Sequence, residues 1–196
     1  MSLPQHITKL EAVNYMLASV GMAPLSTLVP PIPLSGAEAE NKLDMMTRSI
    51  QLKGYHFNTE YDVTLTRAAD NTITLGQDII RVDTSLCGLD VTLRGTALFN
   101  KETNTAVFTA DLTDITLVRY LPFESMPEPF RYWVMMEALI KFQADKSTDQ
   151  VRYTLSSVEV AEAKAVAKQY DLETADHNIL SDQSSQGILN RRRNRR

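Results

Sequence analysis

The chain has 196 residues, 43% of them hydrophobic and 22% charged, with a formal net charge of −4. This composition is ordinary for a soluble globular protein of one domain or two small ones. No apolar run approaches the roughly 20 residues that a membrane helix needs, and we expect no membrane partner. One cysteine and three widely separated histidines exclude an internal disulfide and a local zinc pattern, so we expect no metal and no cofactor.

The first predicted element is a helix that ends at Gly21. Thr8 and Glu11 form a T-x-x-E capping box at its start, and apolar residues then recur with helical spacing. The next stretch, residues 22–36, contains four prolines and predicts an extended connection. Its large apolar residues need burial against the body or against a neighbouring subunit: Leu25, Leu28, Val29, Ile32 and Leu34.

A second helix is predicted to begin at another capping box, formed by Ser35 and Glu38, and to end at Gly54. One face carries apolar residues that step by four, three and four positions. These residues predict the buried face of the helix: Ala39, Leu43, Met46 and Ile50.

Between Tyr61 and Leu121 the apolar period changes from helical to two. Asn, Asp and Gly turn signals separate the predicted strands "NTITL", "DIIRVDT", "LDVTLRG" and "TALFN". The stretch "TALFN-KETN-TAVF" predicts a hairpin with a polar connection. The strand "DITLVRYL" has the richest content of β-branched residues.

Helices return after the segment "MPEPF". Pro127 keeps Met126 extended, Pro129 fits the first helical turn, and Glu128 lies where the helix dipole favours a carboxylate. A third helix is therefore predicted to run from about Glu128 to Asp145, with burial on more than one face. A fourth is predicted over residues 149–170, where alanines permit close packing.

This order of elements predicts an α+β fold, a discontinuous α-helical bundle with a mainly antiparallel β insertion. We expect the bundle to comprise residues 1–60 and 123–180, and the β insertion to comprise residues 61–122. Residues 181–196 are predicted to form a flexible basic tail.

That tail ends in "RRRNRR". Without its arginines the chain has 15 Lys and Arg against 24 Asp and Glu, a net charge of −9. A basic end on an acidic body favours an anionic contact, either an acidic protein surface or DNA bound without sequence specificity, and a solvated terminus is the simpler alternative. The candidate contact residues are Arg191, Arg192, Arg193, Arg195 and Arg196.

Catalytic signatures are sparse. The sequence has no G-x-x-x-x-G-K-[ST] loop, no G-x-G-x-x-G and no G-x-S-x-G elbow. Two carboxylates suffice for glycoside hydrolysis, and Glu124 and Glu128 flank the proline-rich turn. Glu128 already has a structural explanation as a charge at a helix start. We therefore expect no enzymatic activity. If the protein is an enzyme, we expect it to be a glycoside hydrolase.

Three stretches resemble one family. "AVNYMLASVGMAPLSTL", residues 12–28, is similar to A-V-N-x-x-L-A-S-[IV]-G-x-x-P-x-S-T-L. "GYHFNTE", residues 54–60, is similar to G-[WY]-x-F-N-x-E, and "MPEPFRYW", residues 126–133, is similar to M-P-E-x-F-R-Y-W. Together and in this order they resemble tail tubular protein A, the gatekeeper or tail-adaptor family of short-tailed phages (podoviruses). The arginine tail departs from the family pattern.

The resemblance implies a structural adaptor in the short tail of a virion, made in the host cytoplasm. Its members form a dodecameric ring between the portal protein and the tail nozzle protein (tail tubular protein B), with the tail fibre as a further candidate partner. The ring extends the channel through which double-stranded DNA is packaged, retained and ejected. The alternatives are a tail protein that also hydrolyses exopolysaccharide or peptidoglycan, and a DNA-binding module.

The start of the third helix supplies further candidates for contact with a partner. Arg131, Tyr132 and Trp133 belong to residue types that oligomer interfaces favour. They can equally lock the helix start into the bundle, and for Trp133 we favour a place in the protein's own core.

Overall fold

The computed structural model describes residues 6–84, 89–146 and 150–175, with the side chains of 150–155 excepted. In this part of the chain the elements confirm the predicted α+β fold class. The four helices are α1 (Lys9–Ser19), α2 (Leu34–Gln51), α3 (Glu128–Lys146) and α4 (Gln150–Thr174). The five strands are β1 (Thr59–Leu65), β2 (Ile79–Thr84), β3 (Val91–Arg94), β4 (Ala97–Asn100) and β5 (Leu112–Arg119). Short 3-10 helices lie at His56–Asn58 and Phe123–Ser125.

Helix α1 has the predicted capping box. The Glu11 backbone N–H donates to Thr8 Oγ1 over 3.2 Å, and the Thr8 backbone N–H donates to the Glu11 carboxylate over 2.9 Å. The helix ends as predicted before Gly21, whose φ of +76° is a left-handed conformation that glycine adopts without steric penalty.

The capping box predicted at Ser35 and Glu38 is wrong. Helix α2 begins one residue earlier, and the backbone carbonyl of Pro33 already accepts hydrogen bonds from the N–H groups of Gly36 and Ala37. Pro33 has a φ of −56°, close to the helical value, so it is preset for helix entry. Ser35 therefore lies inside the first turn, where its hydroxyl is in the wrong place to act as the N-cap.

The proline-rich connection is only partly buried. Leu25 and Leu28 pack against the helical core, whereas Val29 and Leu34 are largely exposed. Asn14 of α1 holds the connection, because its side chain donates to the Leu25 carbonyl over 2.9 Å and accepts from the Leu25 N–H over 2.7 Å. A side chain at Gly36 would collide with Leu25, so the glycine lets the connection approach α2 closely.

Strand β5, predicted from "DITLVRYL", is the centre of a three-stranded antiparallel sheet of order β1-β5-β2. Strands β1 and β5 each contain an irregularity in their pairing, near Asp62 and Asp114, which both have positive φ. Arg119 on β5 spans the sheet by binding Glu60 over 2.6 Å and Asp78 over 2.5 Å. It therefore links the central strand to β1 and to the turn before β2.

The second sheet differs from the predicted hairpin. Strand β4 pairs with β3 across the two-residue turn Gly95–Thr96, while the predicted hairpin partner contributes a single bridge between Asn100 and Thr105. A two-residue loop brings strands together at less entropic cost than the longer polar connection does. The predicted strand "NTITL" likewise forms only isolated bridges, at Thr72 and Thr74.

Two hydrophobic clusters fill the described part of the molecule. The helical core draws residues from α1, α2, α3 and α4, and α3 packs on each of the other three helices. Helix α3 is buried on several sides, as its sequence predicts. Lys42 pairs with Asp145, and Lys146 with Glu38, so α2 and α3 run antiparallel. The β core lies within residues 63–117. The domain boundaries given above stay a prediction.

Candidate functional site

The chain passes between the helices and the β region through a buried polar junction formed by Gln51 and Asn58. Gln51 donates to the Leu121 carbonyl and accepts from the Leu121 N–H, each over 2.8 Å. Asn58 donates to the carbonyls of Arg119, over 2.8 Å, and of Gln51, over 3.1 Å. Two buried amides thus satisfy backbone groups of both the outgoing and the returning chain, which fixes their relative position.

Next to this junction lies an aromatic cluster that joins two of the three family-like motifs. Phe130 of "MPEPFRYW" packs on Tyr55 and Phe57 of "GYHFNTE", with ring centroids 4.7 Å and 4.4 Å apart. Trp133 meets Tyr55 edge-on at 6.0 Å. The spacing and tilt are those that aromatic pairs prefer. The two motifs, far apart in sequence, are therefore two halves of one packed unit.

Trp133 lies in this core, with 2% of its surface exposed, as we favoured from the sequence. Its indole N–H donates to Glu137 over 3.2 Å, and the Lys164 ammonium of α4 lies 5.8 Å from its ring. A direct contact of Trp133 with a partner protein would need the bundle to open.

Arg131 acts as a clamp at the start of α3. Its guanidinium donates to the carbonyl of Met126 over 2.7 Å, to that of Ile7 over 3.1 Å, and to that of Glu124. Through these three hydrogen bonds the guanidinium holds the segment before α1 against the turn that precedes α3. A guanidinium suits this task because its donors form a rigid fork.

The candidate carboxylates Glu124 and Glu128 have different contacts. Glu128 accepts from the Ile7 N–H over 3.1 Å and lies 3.4 Å from the His6 ring nitrogen, so it holds the same N-terminal segment as Arg131. Glu124 lies on the wall of an open cleft of about 440 Å³. Its companions there, Glu40 and Asp44, both bind the Lys9 ammonium. The hydrolase thus stays an untested alternative.

Tyr132 is the member of the "RYW" cluster that reaches the surface. It is partly exposed on α3, and desolvation raises its pKa, with smaller contributions from Tyr15 and from the carboxylates Glu159 and Glu162 of α4. Tyr132 is thereby available for contact with a partner, and this role stays a prediction. The terminal arginines and Cys87 lie outside the described residues.

The outer faces of α2 and α4 carry candidate contact residues, of which only Leu34 was indicated by the sequence. On α2 and its C-cap these are Leu34, Met45 and Leu52, which are between 50% and 77% exposed. On α4 they are Val158, Val166 and Leu172, which are between 54% and 65% exposed. Spacings of 11 and 7 residues place the α2 set on one line along the helix, a signal that reading the buried face alone overlooks.

Other site types find no support within the described part of the chain. None of its helices is long and apolar enough to cross a membrane. Its histidine and carboxylate side chains form no group of three or more that could hold a metal ion.

One comparison with known proteins gives a match. A family model described as tail tubular protein matches residues 10–177, which include the four described helices except Lys9, both hydrophobic clusters and the three motifs. The terminal arginines fall beyond the matched range. A search among curated proteins found no match.

Proposed function

The chain belongs to the tail tubular protein family and is a structural component of a phage tail, and from this premise we propose that it is the adaptor, or gatekeeper, between portal and tail nozzle. In this role copies of the chain form a ring, a dodecamer by analogy with the family, which binds the portal protein on one side and the nozzle protein on the other. The ring extends the channel for double-stranded DNA.

The observation that carries this proposal is the family match over the whole helical bundle, including the motif residues that build the junction and the aromatic cluster. The motif side chains bind backbone groups of neighbouring segments and fill the core. This use of motif residues favours a structural role for the protein, in which the shape of the fold is what a partner recognises.

Charge also supports a conduit for DNA. Outside the terminal arginines the chain has a net charge of −9. A wall that attracted phosphate would retain the DNA that must pass, because each cationic contact adds to affinity for the duplex. An acidic channel lets the duplex slide.

Electron microscopy of the purified protein mixed with portal rings tests the proposal directly. We expect a second ring stacked on the portal, coaxial with its channel, and a further density when the nozzle protein is added. Portal rings that stay bare at saturating protein would contradict the adaptor role.

The terminal arginines form a separable part of the proposal. Arg191, Arg192, Arg193, Arg195 and Arg196 suit bidentate contacts with an acidic surface of the portal or nozzle protein. Deleting residues 191–196 should weaken portal or nozzle binding most at low salt, because salt screens exposed charges. If the truncated and the full chain bind the portal and nozzle proteins equally well at low salt, the arginines do not contact these proteins. They would then contact DNA or only solvent.

A further inference from the structure

We propose that neighbouring copies meet head to tail, with the outer face of α2 in one copy packed against the outer face of α4 in the next. The inference rests on the proposed ring and goes further by assigning the two surfaces that form it. We call them the α2 stripe (Leu34, Met45 and Leu52) and the α4 stripe (Val158, Val166 and Leu172).

The α2 stripe points directly away from the protein's own core. At 100° per residue its three members lie within about 20° of one another around the helix. The buried residues Ala39, Leu43 and Ile50 occupy the opposite side. Three large apolar side chains are thus exposed along one line about 27 Å long, with polar residues such as Asn41 between them, and they offer separate apolar contact points to a partner.

An open groove of about 640 Å³ runs beside Met45. Met45, Met46 and Leu52 line it with apolar side chains, and Arg48 is among its polar lining residues. Methionine side chains adapt their shape to a partner, and the groove has room for the branched side chains that α4 presents.

The α4 stripe is the counterpart. Helix α4 uses small residues such as Ala163 and Ala167 to pack closely on the body of the protein. Val158 and Leu172 lie on its other side and Val166 lies on its flank, the three within about 120° of arc. The monomer leaves these three apolar side chains uncovered, with Glu162 and Gln169 between them on the same arc.

The positions of the two helices make the contact heterologous. Helices α2 and α4 both pack on α3 and, in the described part of the chain, make few contacts with each other, so they flank α3 on different sides. Two different surfaces on different sides of one chain join copies in a directional series, which closes into a ring when the rotation per copy permits. A single two-fold interface would stop at a dimer.

Charges at the two stripes are complementary. Glu38, Lys42 and Asp44 of α2 are already paired within the chain. Arg48 has the Tyr120 ring 5.6 Å away and no ion pair among the described residues. On α4, Glu159 and Glu162 are exposed beside Val158 and Val166. The α2 stripe thus offers a cation and the α4 stripe offers carboxylates, which orients the pairing and disfavours contact between two α4 stripes.

The first test replaces Met45 with glutamate. Met45→Glu should weaken self-association by about tenfold or more, because the contact would bury an unpaired carboxylate. Tyr61→Glu on β1 is the matched control, since Tyr61 is as exposed as Met45 but belongs to the sheet and to neither stripe. Mass photometry and sedimentation velocity of each variant, alone and on portal rings, measure the assembled fraction. Assembly of Met45→Glu at the wild-type level would overturn the inference.

The second test is a charge exchange within one chain. Arg48→Glu and Glu162→Arg should each reduce assembly several-fold, and the chain that carries both should recover, since every interface then has its two charges exchanged. A double variant that assembles no better than the single variants would count against this pairing.

The third test joins the stripes covalently. One chain carries Met45→Cys and a second carries Val166→Cys, both with Cys87→Ser, and a short bismaleimide links their thiols. We expect linked pairs only when the two chains are mixed. Links between identical chains alone, or none, would overturn the inference. Wild-type chains that form no ring on portals would contradict the adaptor proposal, whereas rings that form without the mixed link would contradict the stripe pairing alone.

Discussion

The helical and β regions of this chain are stabilised in different ways. The helical core buries aromatic and methionine side chains from segments more than 100 residues apart, and buried amides connect it to the β region. The β core is smaller and mostly aliphatic, and its members all lie within residues 63–117. All three family-like motifs lie in the helical core or at its junction. The bundle therefore depends on particular side chains, whereas the β region depends on its alternating pattern.

The largest expected effect comes from emptying each core. Phe130→Ala should lower the free energy of unfolding by about 3–5 kcal/mol, because Phe130 is fully buried and packs on Tyr55, Phe57 and Trp133. Phe108→Ala in the β core should lower it by less, about 3 kcal/mol, since fewer aromatic contacts are lost. Urea unfolding measures both. A larger loss for Phe108→Ala would contradict the comparison, and Tyr61→Ala should stay within about 0.5 kcal/mol of wild type.

The next effect should come from the junction between the regions. Gln51→Ala leaves the partly buried N–H and C=O of Leu121 without their partners and should lower stability by about 1–3 kcal/mol. It should also let the β region open separately, which hydrogen exchange resolves as faster exchange in β1 and β5. Gln143→Ala is the control, because Gln143 binds Ser156 within the bundle. Uniform exchange in Gln51→Ala would show that the junction does not couple the regions.

A smaller effect concerns alkaline pH. Burial, with some help from Asp171, raises the pKa of Tyr55 to about 12. Unfolded chains deprotonate this tyrosine near pH 10, so native stability should fall as the pH rises from about 10 to 12. Tyr55→Phe should flatten that decline. It should cost little at neutral pH, because the Tyr55 hydroxyl has no hydrogen-bond partner among the described residues. An unchanged alkaline profile would argue against a buried neutral hydroxyl.

The smallest effect belongs to the exposed ion pairs of the sheet. A hydrogen bond from Arg119 lowers the pKa of Asp78. The stability that this pair contributes is present above the ordinary carboxyl pKa and is lost as the pH falls through the lowered value. Asp78→Asn should therefore reduce the acid sensitivity of the sheet slightly, as thermal melts between pH 6 and 3 measure, with Asp83→Asn as the control. If Asp78→Asn and the wild type lose stability identically as the pH falls, solvent screens the Asp78–Arg119 pair completely.

The sequence allowed the fold class to be predicted because each region has a strong period and clear ends. The Thr8 capping box, Gly21 and the strand "DITLVRYL" depend on neighbours in sequence, and they are confirmed. The Ser35 box was wrong because Pro33 competes for the same helix start.

The hairpin partner of β4 and the positions of the stripes depend on tertiary packing. The periodicity of apolar residues along the sequence does not report this packing. Candidate residues divide in the same way. Glu128 matched its predicted place at a helix start, but its contact with Ile7 crosses 121 residues of chain. No local pattern encodes such a contact.

The discontinuity of the bundle also sets an order of events on the ribosome. All members of the β core leave the exit tunnel before α3 does, so this region can collapse while synthesis continues. The apolar faces of α1 and α2 must wait for Phe130 and Trp133 to leave the exit tunnel. During that interval the nascent chain exposes half of a core, and we expect chaperones that bind apolar segments to occupy it there. Selective profiling of chaperone-bound ribosomes, with release expected once α3 has emerged, would measure this.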